Sequence, residues 1–134
     1  MPGTTITSER VLVDVTSKPA AAPYSSAAVW AELVWTSGAL PVEPDGSVAD
    51  DFGQQVRTAL ANLEDSLRAA GADWSTVLKV NGYVADIDEL PTLNEIYNAV
   101  VAGHGAPART TVEVTRFRNG VKVEFDAVAF RRRD

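Results

Sequence analysis

The sequence predicts an α+β domain in which a single mixed β-sheet carries two helices packed on one face. Three observations lead there. Short runs alternate apolar and polar residues at the period of a half-buried strand. Two longer runs repeat apolar residues at spacings of three and four, as amphipathic helices do. The order of these runs is β, β, β, α, β, α, β, β, and both helices need an apolar surface that one sheet can supply. The other sheet face is then left with polar residues beside apolar ones such as Val128 and Phe130, a mixed surface suited to subunit contact.

Each element has its own signal. Ile6 to Val15 alternates as a first strand, and Lys18 to Tyr24 is a loop punctuated by two prolines. Ala27 to Ala31 and Leu33 to Ser37 form two strands of a hairpin, ended by Gly38 and Pro41. The stripe Phe52, Val56, Ala59, Leu60, Leu63, Leu67 and Ala70 makes the first helix. Asp50 and Asp51 suit its N-terminus, and Gly71 suits its C-terminal cap. Val77 to Ala85 alternates again. A second helix opens near Asp86 to Pro91, carries Leu93, Ile96, Tyr97, Val100 and Val101 on one stripe, and stops at Gly103-His104-Gly105. Pro107 to Val114 and Val121 to Ala129 supply the last two strands.

The chain has 134 residues, the size of one domain, and residues 1–134 are read as such. Its apolar fraction of 46 % and charged fraction of 22 % are ordinary for a soluble protein. No run approaches the roughly 20 apolar residues of a membrane span, and Met1 to Arg10 lack the apolar core of a signal peptide. With no cysteine, thiol catalysis and disulfides are excluded, and a cytoplasmic location is the simplest expectation. One histidine and no cysteine also speak against a metal site. The net charge of −6 opposes a nucleic-acid surface, because such a surface needs a basic stripe. The only basic cluster, Arg131-Arg132-Arg133, reads as a solvated tail.

Two charged residues near the C-terminus invite a chemical reading. Arg109 and Glu124 both fall on the polar phase of their strands, opposite Val112, Val114, Val123 and Phe125. A forked cation and a carboxylate on one sheet surface could hold a small carboxylic acid and a water together. Taken alone, the pair is more simply a cross-strand ion pair worth a fraction of a kcal/mol. Two registers are open if these strands form a hairpin. An Asn119-Gly120 turn sets Arg109 opposite Phe130. A loop over Thr115 to Arg118 sets Arg109 directly across from Glu124. Patterning cannot choose, and the chemistry requires the second register or a neighbouring chain that brings the two groups together. Other residues carry blander readings: His104 is a helix-exit residue, and Trp30, Trp35 and Trp74 are core or interface aromatics.

Five stretches, Ala22-Pro23-Tyr24-Ser25, Ser37-Gly38-Ala39-Leu40-Pro41, Leu93-Asn94-Glu95-Ile96-Tyr97, Pro107-Ala108-Arg109-Thr110 and Val123 to Ala129, together resemble the RidA (YjgF) family of reactive-intermediate deaminases. The resemblance runs from about Lys18 to Ala129 in the family's order. It implies a chorismate-mutase-like fold, a homotrimer with clefts between subunits, and no metal or organic cofactor. The implied reaction is hydrolysis of enamines and imines such as 2-aminoacrylate and 2-iminopropanoate to 2-keto acids and ammonia. By position, Arg109 matches the substrate-carboxylate anchor and Glu124 the residue that orients water. Tyr24 matches the aromatic lining the cleft, and Ser37, Gly38 and Asn94 match positions that shape the pocket.

Departures from the family pattern occur at Ala22, Ala39 and Thr111, where glycine, glutamine and cysteine are common. They alter the pocket lining, to which Thr111 is assigned with the substrate-binding residues, and leave the Arg and Glu in place. Ala22 and Ala39 motivate one alternative, a deaminase for a larger amine such as 2-aminomuconate; a second is a trimeric carboxylate-metabolite binding protein that uses Arg109 simply to grip carboxylates, without turnover. An endoribonuclease activity, under the name L-PSP, has also been attached to proteins of this kind, and the acidic charge opposes it here.

Overall fold

Residues 9–132 are described by the computed structural model. Strands β1 (Val11–Val13), β2 (Ala27–Trp30) and β3 (Leu33–Thr36) form an antiparallel meander. The first strand is shorter than expected, and Ile6, Thr7 and Ser8 lie outside the described residues. It ends at Val13 because side chains then replace the ladder: Ser26 N donates to Asp14 Oδ1 (3.1 Å) and Val15 N to Ser26 Oγ (3.0 Å). The β2–β3 hairpin forms as expected, with Trp30 opposite Leu33.

Helix α1 (Phe52–Ala69) starts at Asp51, whose carboxylate accepts from Gln54 N at 2.8 Å. Its stripe of Phe52, Val56, Ala59, Leu60, Leu63 and Leu67 is buried as the spacing predicts. Each fully buried leucine adds about 1.5–3 kcal/mol of burial free energy. Strand β4 (Val77–Val84) follows, then a short 3₁₀ turn at Ile87–Glu89 and helix α2 (Leu90–Val101) with Pro91 in its first turn. Strands β5 (Ala108–Glu113) and β6 (Val123–Phe130) complete the set.

The six strands join one mixed sheet in the order β1-β2-β3-β6-β4-β5. Both helices cover one face, where Val29, Val34, Val80, Val84, Val123, Phe125, Ala127 and Ala129 are buried. Among the described residues nothing covers the other face. Its β1–β2–β3–β6 half presents Leu12, Trp30 (49 % exposed), Trp35 (43 %) and Phe130 (38 %). Its β6–β4–β5 half presents Lys79, Asn81, Tyr83, Thr110, Glu124 and Asp126. Trp74 is the buried tryptophan and packs edge-on against Tyr97.

Neither hairpin register expected for the last two strands occurs, because β5 and β6 are not neighbours. β4 lies between them, parallel to β5 and antiparallel to β6. The β4–α2–β5 segment is a crossover unit, which is how parallel neighbours are connected. The chain then passes across the end of β4, where Val114 N donates to Val84 O (2.9 Å) and Ala85 N to Lys122 O (3.0 Å). Asn119-Gly120 does make a tight turn, with φ of +55° and +77° and Val121 N donating to Arg118 O (3.1 Å). That turn lies inside the crossing loop and joins no strand pair. Gln55, fully buried on α1, fixes the loop by donating to Gly120 O (3.0 Å) and accepting from Lys122 N (2.8 Å).

Candidate active site

Register places the two charged groups. Arg109 pairs with Val80, which pairs with Ala127, so Arg109 projects from the helix-covered face. Glu124 pairs with Tyr83, which pairs with Val112, so Glu124 projects from the uncovered face. The expectation that they share a surface is therefore overturned within one chain. They stand two strands and three residues apart, on the order of 14 Å between Cα atoms. Alternation gives the period of a strand but not which phase faces the helices. On edge strand β5, both phases carry polar residues.

The arginine sits in a prepared cradle. Its Nη2 donates to Asn94 Oδ1 at 2.6 Å, and its guanidinium carbon lies 4.7 Å from the Tyr97 ring centroid. Asn94 and Tyr97 reach it because they are three residues apart on α2 and so share a face. Stacking on an aromatic ring holds the cation without neutralising it. Among the described residues Arg109 makes no ion pair. Thr111, two residues along β5, faces the same side, and its Oγ1 is buried with no hydrogen-bond partner. The Tyr97 hydroxyl is likewise buried and unpartnered, and burial pushes its pKa up against the opposing effect of Arg109. Arg109, Asn94 and Thr111 thus gather at one place with Tyr97, a residue that the helix stripe had already accounted for.

Tyr24, Ser37, Gly38 and Glu124 gather at another. Between the pairs Trp35↔Val128 and Ala39↔Phe125, the β3 side has one residue more than β6, a bulge that swings Ser37 and Gly38 out. Thr36 Oγ1 accepts from Ala127 N (3.0 Å) where the ladder is interrupted. Ser37 Oγ donates to Ser25 O (2.6 Å), tying the bulge to the residue after Tyr24. Tyr24 is 51 % exposed and, with Ser37, lines a cleft of about 680 Å³ whose wall also includes Lys18, Arg10 and Trp35. The Glu124 carboxylate lies over Gly38. A Cβ there would meet Oε2 directly and come within 2.7 Å of Cδ.

Glu124 is half-buried, and its carboxyl pKa is pushed up, first by burial and then by the neighbouring charge of Asp126. Asp126 itself accepts from Asn81 Nδ2 and from the Tyr83 hydroxyl, both at 2.8 Å. That bond, then burial and the two nearby carboxylates, push the Tyr83 pKa up to about 12. Neither Asn81, Tyr83 nor Asp126 stood out in the sequence. They share Glu124's phase, but only the β4–β6 pairing brings them beside it.

The chain as a whole has clear relatives. Residues 15–131 match the family model described as Endoribonuclease L-PSP. A 2-iminobutanoate/2-iminopropanoate deaminase of Salmonella typhimurium is 39 % identical over 113 residues, covering 82 % of this chain and 88 % of that one. The crystal structure of the Escherichia coli YjgF gene product superposes with a TM-score of 0.84 at 33 % identity, over 91 % of this chain and 99 % of that one. Escherichia coli TdcF, crystallised with bound serine, gives a TM-score of 0.84 at 30 % identity over 91 % and 99 %. The chain is a member of the endoribonuclease L-PSP family, the RidA/YjgF proteins that its five motifs resemble.

Proposed function

We propose that this protein hydrolyses small 2-imino acids, and the enamines that tautomerise to them, to 2-keto acids and ammonia. The identity to relatives named as 2-iminobutanoate/2-iminopropanoate deaminases supports this reaction. The observation that carries it to residues is the separation of an unpaired, ring-stacked Arg109 from a half-buried Glu124 on opposite sheet faces. Neither half completes a site alone. In this reading a homotrimer forms through the uncovered face, and each site combines Arg109, Asn94 and Thr111 of one subunit with Tyr24, Ser37, Gly38 and Glu124 of the next. A cytoplasmic location belongs to the same reading.

Arg109 holds the substrate carboxylate through two parallel charge-assisted hydrogen bonds, leaving the iminium carbon fixed. Glu124 accepts a proton from water as the water oxygen bonds to that carbon and the C=N π electrons move to nitrogen. Protonated Glu124 then returns the proton to the amine of the carbinolamine. As the C–N bond breaks, the hydroxyl proton passes back to Glu124 and C=O forms. Transfer of that proton to the departing ammonia resets the carboxylate. An elevated pKa suits Glu124 to both directions of transfer. The relatives' names lend no support to the larger-amine or binding-only alternatives.

The test is complementation. 2-Aminoacrylate is generated in situ and keto-acid release is followed. Arg109→Ala and Glu124→Gln should each lower the rate by at least 100-fold, the usual scale for a lost positioning or acid–base group. After the two inactive variants are mixed, dissociated and reassembled, about a quarter of the sites should regain both groups. Activity in either single variant would remove that residue from the reaction, and failure of the reassembled mixture would remove the shared site.

A further inference from the structure

We propose that Asp126, fixed between Tyr83 and Asn81, is a positioning residue that assigns the site's mobile proton to Glu124. This rests on the reading of Glu124 as the proton carrier. Glu124 and Asp126 are two residues apart on β6 and project from one face, roughly 7 Å apart at Cα. Two carboxylates so placed compete for a proton, and their surroundings decide which one takes it.

The surroundings differ sharply. Asp126 lies opposite Asn81, whose amide donates to one carboxylate oxygen, while the Tyr83 hydroxyl donates to the other. Two donated hydrogen bonds occupy both oxygens and fix the carboxylate in place beside Glu124. Tyr83 starts directly across from Glu124 yet directs its hydroxyl to Asp126. Glu124 has none of these donors, lies half-buried over Gly38, and stands beside the carboxylate that Asn81 and Tyr83 hold in place. Burial, followed by Asp126, moves its pKa upward.

Among the described residues of one chain no cation cancels this arrangement, and the Arg109 that the proposed trimer brings in from the neighbouring subunit is common to wild type and every variant compared. On the same face of β4, Lys79 donates its ammonium to Thr110 Oγ1 (2.8 Å). Just before β6, Lys122 turns its ammonium to Asp50 O (2.6 Å), next to the start of α1. The Ser37-Gly38 bulge and the uncovered side of β5, Thr110 and Val112, bring no charge. Among the described residues neither Glu124 nor Asp126 forms an ion pair.

The experiment is a ¹³C-carboxyl NMR titration of Glu124 in the full chain, beside the pH profile of kcat/KM. Wild type should titrate above the ordinary glutamate range. Asp126→Asn removes the like charge and should lower the Glu124 midpoint, with the acid limb of kcat/KM moving down by the same amount. Asp126→Glu keeps the charge and should restore both. Tyr83→Phe, a near-isosteric change, removes one of the two donors that hold the Asp126 carboxylate in place, and the Glu124 midpoint should shift with it. A Glu124 midpoint unmoved by Asp126→Asn, or a Tyr83→Phe curve identical to wild type, would overturn the proposal. A shifted midpoint in a protein that hydrolyses no imine would refute the deaminase reading and leave this one standing. An active enzyme whose Glu124 ignores Asp126 would do the reverse.

Discussion

Gly38 owes its place to the carboxylate above it. A methyl group there would meet the far end of a flexible side chain, which can rotate away, and not a backbone atom. Gly38→Ala should therefore leave the thermal midpoint nearly unchanged, because a small change at a site that can relax costs under about 1 kcal/mol. It should nevertheless lower kcat at least tenfold, since Glu124 can no longer rest over the bulge. A variant as active as wild type would mean that the carboxylate works from another position. Tyr97 shows the complementary lesson. It belongs to the apolar stripe of α2, and its ring also bears the Arg109 guanidinium. The sequence pattern offered one reason for that residue, and the fold added a second.

Element boundaries were legible where one strong physical cause acts. The three-and-four spacing from Phe52 to Leu67 and the Asp51 cap locate α1 closely. Pro91 and the Leu93–Tyr97–Val101 stripe locate α2 equally well. Strand neighbours were legible for the β2–β3 hairpin and not beyond it, because alternation is a property of one strand and pairing is a property of two. The Asn119-Gly120 signal was real as a turn and misleading as a hairpin. What holds the crossing loop is Gln55, distant in sequence, which also donates to Ala49 O at 2.7 Å. A polar side chain inside an otherwise apolar helix stripe was the one available hint. Gln55→Ala would remove three partly buried hydrogen bonds to the backbone, so we expect it to cost about 2–4 kcal/mol in urea unfolding. A loss below about 1 kcal/mol would show that the loop is fixed by something else.

The sheet as a whole has one protected and one unprotected face, and the unprotected face divides into an apolar and a polar half. Trp30 and Trp35 lie there, and their role as interface aromatics is part of the proposed assembly. Phe130 sits across from Leu33 on the apolar half. Phe130→Asp should reduce the sedimentation coefficient to that of a monomer and abolish imine hydrolysis while the far-ultraviolet circular dichroism persists. Full activity in a monomeric Phe130→Asp protein would place the complete site within one chain. The position of β6 has a separate consequence. Among the described strands it alone joins the β1–β2–β3 meander to the β4–β5 pair, and it follows both in the chain. On a ribosome, a nascent chain would expose two unconnected sheet fragments until Val123–Phe130 emerged from the exit tunnel. The sheet therefore cannot close before β6 is available, and the joining step draws together partners as distant as Leu33 and Phe130.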